Sequence, residues 1–185
     1  MAQTEASHPV QVVLCLPILR GLTGNQVLLG MKLRGFGAGH VVAPGGKIEP
    51  GENPAQAAAR ELQEETSLVA ESASLEPAAR VNFRFPANPA ADMDCTVFLA
   101  SDFSGMAEPS DELAPAWYPV GHLPLAKMWQ DSSLWLGRML LGERFDVLVL
   151  MAQDNESVAR FHTIPWPGNG IPEQPLTDAD FPSAR

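Results

Sequence analysis

Apolar and polar positions sort this chain into short β-segments arranged around two helical ones. Residues Gln11 to Leu19 are almost continuously aliphatic and read as a buried core strand. Gly21 to Asn25 is turn material, and Gln26 to Lys32 reads as the antiparallel neighbour of the first strand. Gly35 to Gly46 is punctuated by glycines and Pro44 and reads as loop. Asn53 followed by Pro54 is a helix start, with Asn as N-cap, Pro at the first helical position, and Gln56 placed to close a capping box. The spacing predicts a helix from there to about Thr66, with Ala55, Ala58, Ala59 and Leu62 on its inward face.

The second half is β-rich again. Val81 to Phe85, Cys95 to Leu99 and the proline-interrupted Ala114 to Val120 read as strands. Asp131 to Leu141 carries Leu134, Trp135, Met139 and Leu140 at helical spacing and is expected to pack as a second helix on the sheet. Arg144 to Ala152 and Ser157 to Thr163 flank the turn Asp154-Asn155 and read as a hairpin. From Pro165 onward Pro and Gly dominate, so residues 1–164 are expected to form the domain and 165–185 a tail.

Composition narrows the class. The chain has 185 residues, which suits one domain, and Lys+Arg 12 against Asp+Glu 22 gives a formal charge of −10. Stable binding to nucleic acid or an anionic membrane needs basic surface, so neither is expected. The two cysteines, Cys15 and Cys95, lie in apolar runs without a CxxC partner and read as buried free thiols of a reducing compartment. The N-terminus opens without Lys or Arg, unlike a signal peptide, and the apolar run Val10 to Leu19 is too short to span a bilayer. The expectation is a cytoplasmic monomer.

The chemistry lies on the first helix. Glu61, Glu64 and Glu65 share one arc, with Arg60 the only base between Asn53 and Leu68. As a stability device this is poor. Like-charge pairs at these spacings cost roughly 0.2–0.5 kcal/mol each. Anions in the last turn oppose the helix dipole by about 0.3–1 kcal/mol each. Two carboxylates ~6 Å apart repel by ~3 kcal/mol at an effective dielectric near 20, so a desolvated cluster protonates or collects cations. Hard oxygen donors in that number suit Mg²⁺, with Mn²⁺ acceptable. His8, His40, His122 and His162 are scattered, which argues against zinc.

Gly46, five residues, Glu52, seven residues, then Arg60-Glu61-Leu62-Gln63-Glu64-Glu65-Thr66-Ser67-Leu68 resembles the Nudix box of the MutT-type hydrolases. Ser67 stands where that pattern has Gly, at a position favouring a left-handed helix cap. The resemblance implies an α/β/α sandwich around a mixed β-sheet and hydrolysis of a phosphate anhydride. It also implies that Glu61, Glu64 and Glu65 ligate metal, with Glu64 or Glu65 also a candidate base. Gly46 would add its carbonyl oxygen, and Arg60 would orient the glutamates.

The likeness continues outside the box. Residues 28–40, 110–113 and 127–135 resemble segments of the oxidised purine nucleoside triphosphate hydrolases (8-oxo-dGTP diphosphatases) of that family. This implies that Trp129 stacks a base and Asp131 meets its edge, that Phe36 and Met93 line the pocket, and that Lys32 lies near it. Glu112 would complete the metal cluster. Two positions depart from the pattern: paired acids appear here as Asp131-Ser132, and a base-contacting Asn is replaced within Val41-Val42-Ala43. The expected function is Mg²⁺-dependent hydrolysis of oxidised purine nucleoside triphosphates such as 8-oxo-dGTP to monophosphate and pyrophosphate. Alternatives are hydrolysis of undamaged nucleotides or ADP-ribose-like diphosphates and, less favoured, a non-catalytic nucleotide sensor.

Overall fold

The computed structural model describes residues 8–167, 171–172 and 179. Its strands are β1 (Val10–Leu19), β2 (Gln26–Lys32), β3 (Val41–Val42), β4 (Gly45–Lys47), β5 (Glu76–Arg84), β6 (Met93–Ala100), β7 (Leu113–Pro119), β8 (Phe145–Met151) and β9 (Val158–Pro165). Two α-helices, α1 (Pro54–Thr66) and α2 (Ser132–Leu140), accompany them. The strand order is β3-β2-β1-β6-β5-β8-β9, with β4 also on β1 and β7 on β2. β1 runs parallel to β6 and β5 parallel to β8, while the other pairs are antiparallel, so the sheet is mixed.

Strand alternation divides the core into two layers. On β1, Val13 and Cys15 face one way and join Ala57, Ala58 and Leu62 of α1. Leu16 and Ile18 face the other way and share a cluster with Trp135, Leu136 and Met139 of α2. The sheet is therefore covered by a helix on each face, as the resemblance implied. Both cysteines are buried and free, and burial pushes the Cys15 thiol up to about 12. Among the described residues, no helix is long and apolar enough to cross a membrane.

The termini of α1 follow its sequence. The Asn53 side chain accepts from the Gln56 N–H while the Gln56 side chain accepts from the Asn53 N–H, completing the capping box. Ser67 closes the helix at φ 63, in the left-handed conformation that Gly adopts without strain. Asn155 likewise takes φ 57 in the β8–β9 turn.

Two expectations need correction. Gly35 to Gly46 is not all loop: Val41–Val42 pairs with β2, and Gly45–Lys47 with β1. At the far end, β9 continues through Pro165, and the buried Trp166 donates its indole N–H to Asp146 at 2.9 Å. The first two residues of the expected tail thus pack on the sheet. Residues 168–170, 173–178 and 180–185 of that tail, like residues 1–7, lie outside the described residues.

Candidate active site

Pairing of β4 with β1 sets Gly45 and Gly46 beside α1, with Val13 opposite Gly46. Side chains are absent there for a physical reason. A Cβ on Gly45 would run into the Val13 carbonyl oxygen, and one on Gly46 would stand 2.6 Å from the Glu61 carboxyl carbon. The two glycines let a backbone strand lie against the glutamate helix.

The carboxylates are distributed over two cations. Arg60 clamps Glu52 with two bonds, from Nε to Oε1 at 2.8 Å and from Nη2 to Oε2 at 3.0 Å. Its Nη1 donates to Glu61 at 2.8 Å and Glu64 at 3.2 Å, and Nη2 also donates to the Lys47 carbonyl at 3.1 Å. Arg60 is thus the organiser of three carboxylates rather than a partner in one surface pair. Glu65 is buried, taking the Gly45 N–H at 2.9 Å on one oxygen and the Lys32 ammonium at 2.6 Å on the other. Lys32 also reaches Glu112 at 3.1 Å. The distant acid is thereby tied to the helix, across the β2–β7 pair.

Electrostatics reflects this crowding. Burial pushes the Glu61 carboxyl above the usual range; Arg60 opposes the shift, and the Glu65 and Glu64 charges add to it. Burial alone would lower the Lys32 ammonium, but Glu65 and Glu112 outweigh it and hold it up. Among the described residues, no group of three or more His, Cys, Asp or Glu side chains converges as a ready-made metal cage. The donors nonetheless fit a hard divalent cation, being carboxylate oxygens beside a backbone that only glycine allows so close.

The second half of the site is aromatic. Phe36, at the exposed loop after β2, stacks on Trp129 with ring centroids 5.6 Å apart and meets Phe85 edge-on. Asp131, just before α2, is buried; its Oδ2 accepts the Trp135 indole N–H at 2.8 Å. Burial raises its carboxyl above the ordinary range, against the lowering effect of that bond. Met93 opens β6 on the same side. One cavity of about 910 Å³ is lined by both halves: by Gly46, Arg60, Glu61, Glu64, Glu65, Lys32 and Glu112, and by Phe36, Met93, Trp129 and Asp131. Every candidate catalytic, metal-binding and substrate-binding residue named from the sequence lines it. Val42 and Ser132 line it too.

Sequence reasoning named three residues here without giving them their role at the site. Glu52 is the main anchor of Arg60. Trp135 lies four residues beyond Asp131, a helical spacing that could have revealed it. His40, set aside as scattered, lies parallel to Trp129 with centroids 4.0 Å apart. Its Nδ1 is buried without a hydrogen-bond partner among the described residues.

Comparison with known proteins agrees with this geometry. The NUDIX domain model matches residues 9–138. The chain is 41% identical over 121 residues to an oxidized purine nucleoside triphosphate hydrolase from Danio rerio, covering 65% of this chain and 76% of that one. It is 37% identical over 124 residues to the Mus musculus protein of the same name, covering 67% and 78%. A crystal structure of a mutator MutT protein from Bacillus halodurans superposes with a TM-score of 0.68 over 85% of this chain and 99% of the other. At 22% identity that match speaks for the fold alone. A mixed sheet between two helices, a glutamate helix against a glycine strand, and a matching domain model over most of the chain place this protein in the Nudix family.

Proposed function

We propose that this protein is a Mg²⁺-dependent nucleoside triphosphate pyrophosphohydrolase acting on oxidised purine nucleotides, 8-oxo-dGTP in particular, to give the monophosphate and pyrophosphate. The observation that carries the reading is the single cavity of about 910 Å³ shared by the glutamate cluster and the Trp129–Asp131 pair. It has the size of a small-molecule site and pairs a polyphosphate end with a base end. The names of the two relatives support the same substrate class.

In this reading Glu61, Glu64, Glu65, Glu112 and Gly46 hold Mg²⁺, or Mn²⁺ in its place. Bound Mg²⁺ supplies neutralisation of polyphosphate charge and an acidified water as nucleophile. Arg60 fixes the directions of Glu61 and Glu64, and Glu64 or Glu65 takes the proton of the attacking water. Trp129 provides the stacking face for the base, with Phe36 and Met93 as walls. Asp131, whose carboxyl burial raises above the ordinary range, meets the base edge as acceptor or donor according to its protonation. Lys32, with Arg34 beside the cavity, faces the phosphates. The −10 charge keeps the enzyme off nucleic acid. We read it as a cytoplasmic monomer, to be checked by light scattering and fractionation.

A second reading, hydrolysis of undamaged nucleotides or ADP-ribose-like diphosphates, draws on Val42 and Ser132. Both line the cavity where the related pattern has polar base contacts, and losing a matched polar contact shifts selectivity strongly. Product chromatography with Mg²⁺ and 8-oxo-dGTP, 2-hydroxy-dATP, O6-methyl-dGTP, dGTP and ADP-ribose separates the two. The proposal expects 8-oxo-dGTP to be consumed with the highest kcat/KM, yielding 8-oxo-dGMP and pyrophosphate. Preferential turnover of dGTP or ADP-ribose would establish the second reading instead.

A further inference from the structure

Lys32 ends β2, and its register partner Leu113 opens β7, so Lys32 lies next to Glu112. The Leu33 N–H donates to the Glu112 carbonyl at 2.8 Å, which fixes this neighbourhood through backbone. From there the ammonium reaches across to α1, lying 2.6 Å from Glu65 and 3.1 Å from Glu112. Its side chain is only 12% exposed, and that of Glu65 only 4%. A single positive charge therefore joins two carboxylates from distant parts of the chain, at the junction a divalent ion would need to occupy to be held by both.

We propose that Lys32 is a stand-in cation. It keeps Glu65 and Glu112 together in the metal-free enzyme, then leaves the two carboxylates when Mg²⁺ binds and turns to the polyphosphate in the same cavity. This rests on the metal-dependent reading above and adds to it a defined competitor for the metal. An ammonium and a divalent cation at the same two carboxylates repel one another and compete for their oxygens. Lys32 is built to move. Its ammonium is a point charge on a flexible stem, and among the described residues its two hydrogen bonds go to the carboxylates in question. Arg60 is the contrast. Its planar head is clamped by Glu52 on two sides and by the Lys47 carbonyl, so it stays in place whatever Glu61 and Glu64 bind.

The test measures metal binding directly. Mg²⁺ alone, without nucleotide, is titrated calorimetrically into wild type, Lys32→Met, Lys32→Gln and Lys32→Arg. Thermal unfolding is recorded for each in EDTA and in Mg²⁺. Removing the competitor should tighten Mg²⁺ binding by roughly two- to fivefold in the Met and Gln variants, the scale of one lost ion pair. Lys32→Arg, which keeps the charge, should bind no better than wild type. The Met and Gln variants should melt lower than wild type in EDTA and recover in Mg²⁺, because the ion then replaces the missing charge. With nucleotide present, their KM for 8-oxo-dGTP should rise more than kcat falls. Equal or weaker Mg²⁺ binding by the Met and Gln variants would overturn the stand-in role while leaving the hydrolase reading intact. A wild-type protein that binds no Mg²⁺ and hydrolyses no nucleotide would overturn both.

Discussion

Gly46→Ala separates the geometry of the site from the stability of the fold. Gly46 lies opposite Val13 in β4, and its φ is outside the left-handed region, so alanine brings no backbone strain. The new methyl would stand 2.6 Å from the Glu61 carboxyl carbon and 2.7 Å from Oε2. Non-bonded carbons settle at roughly 3.5–4.0 Å, so the carboxylate must retreat by about 1 Å. Because it is the free end of a side chain, the retreat costs an off-rotamer torsion of ~0.5–1.5 kcal/mol. That is small beside the ~5–15 kcal/mol typical of a folded domain. The retreat nevertheless pulls Glu61 off Arg60 Nη1, now at 2.8 Å, and out of its position in the cavity. Misplacement of a catalytic group by ~1 Å can cost ~10²-fold in rate. Gly45→Ala is the control, since its methyl would meet the Val13 carbonyl oxygen, which is backbone and cannot step aside. Thermal melts and pyrophosphate release from 8-oxo-dGTP decide the matter. Gly46→Ala should melt within ~5 °C of wild type and lose ~10²-fold in kcat/KM, whereas Gly45→Ala should lose most of its stability. Wild-type kcat/KM in Gly46→Ala would refute the close approach as a functional requirement, and unfolding as severe as that of Gly45→Ala would refute the separation.

Other perturbations probe the remaining parts. Burial raises the Asp131 pKa in the folded state, so the stability held by its proton is fully present below the unfolded pKa and is lost as pH rises through the folded one. Asp131→Asn should therefore gain on wild type in urea denaturation as pH climbs above about 4, and a pH-independent difference would contradict a buried acid. Trp129→Ala should raise KM for 8-oxo-dGTP by the equivalent of ~1–3 kcal/mol with kcat largely kept. An equal loss toward inorganic tripolyphosphate, which has no base, would argue against stacking. Ser67→Gly relieves a non-glycine residue at φ 63 and should add about 1 kcal/mol, or ~2–4 °C in melting temperature. A lower melt would mean that the hydroxyl has a role the helix cap does not explain.

The fold was legible where period and punctuation agreed. The Asn53-Pro54-Gln56 start of α1, the strands β1 and β2, and the hairpin turning at Asn155 all declare themselves in local sequence. β3 and β4 do not. Two valines are too short for any period, and a Gly-Gly-Lys strand exists only because β1 offers it partners. The site shows the same division. The glutamates and Arg60 are recognisable from spacing on a single helix, but the burial of Glu65 depends on β4 and Lys32 arriving from elsewhere. His40 carries no local signal for its stack on Trp129, because the contact joins the β2–β3 loop to a segment nearly ninety positions away. Trp166 was hidden by the prolines around it, which mark irregular chain but say nothing about what an indole can pack against.

The central claim is that the α1 carboxylates and the aromatic pocket are one active site. Glu64 tests it most directly, because its side chain is 59% exposed and among the described residues its side-chain hydrogen bond is the one from Arg60 at 3.2 Å, so replacing it disturbs little structure. Monophosphate production from 8-oxo-dGTP is followed across a Mg²⁺ titration for wild type and Glu64→Gln, with melting curves on the same samples. The account predicts metal-dependent turnover in wild type, a fall of ~10²-fold or more in Glu64→Gln, and melts that coincide. Turnover by Glu64→Gln at the wild-type rate, or by wild type at full rate in EDTA, would contradict it.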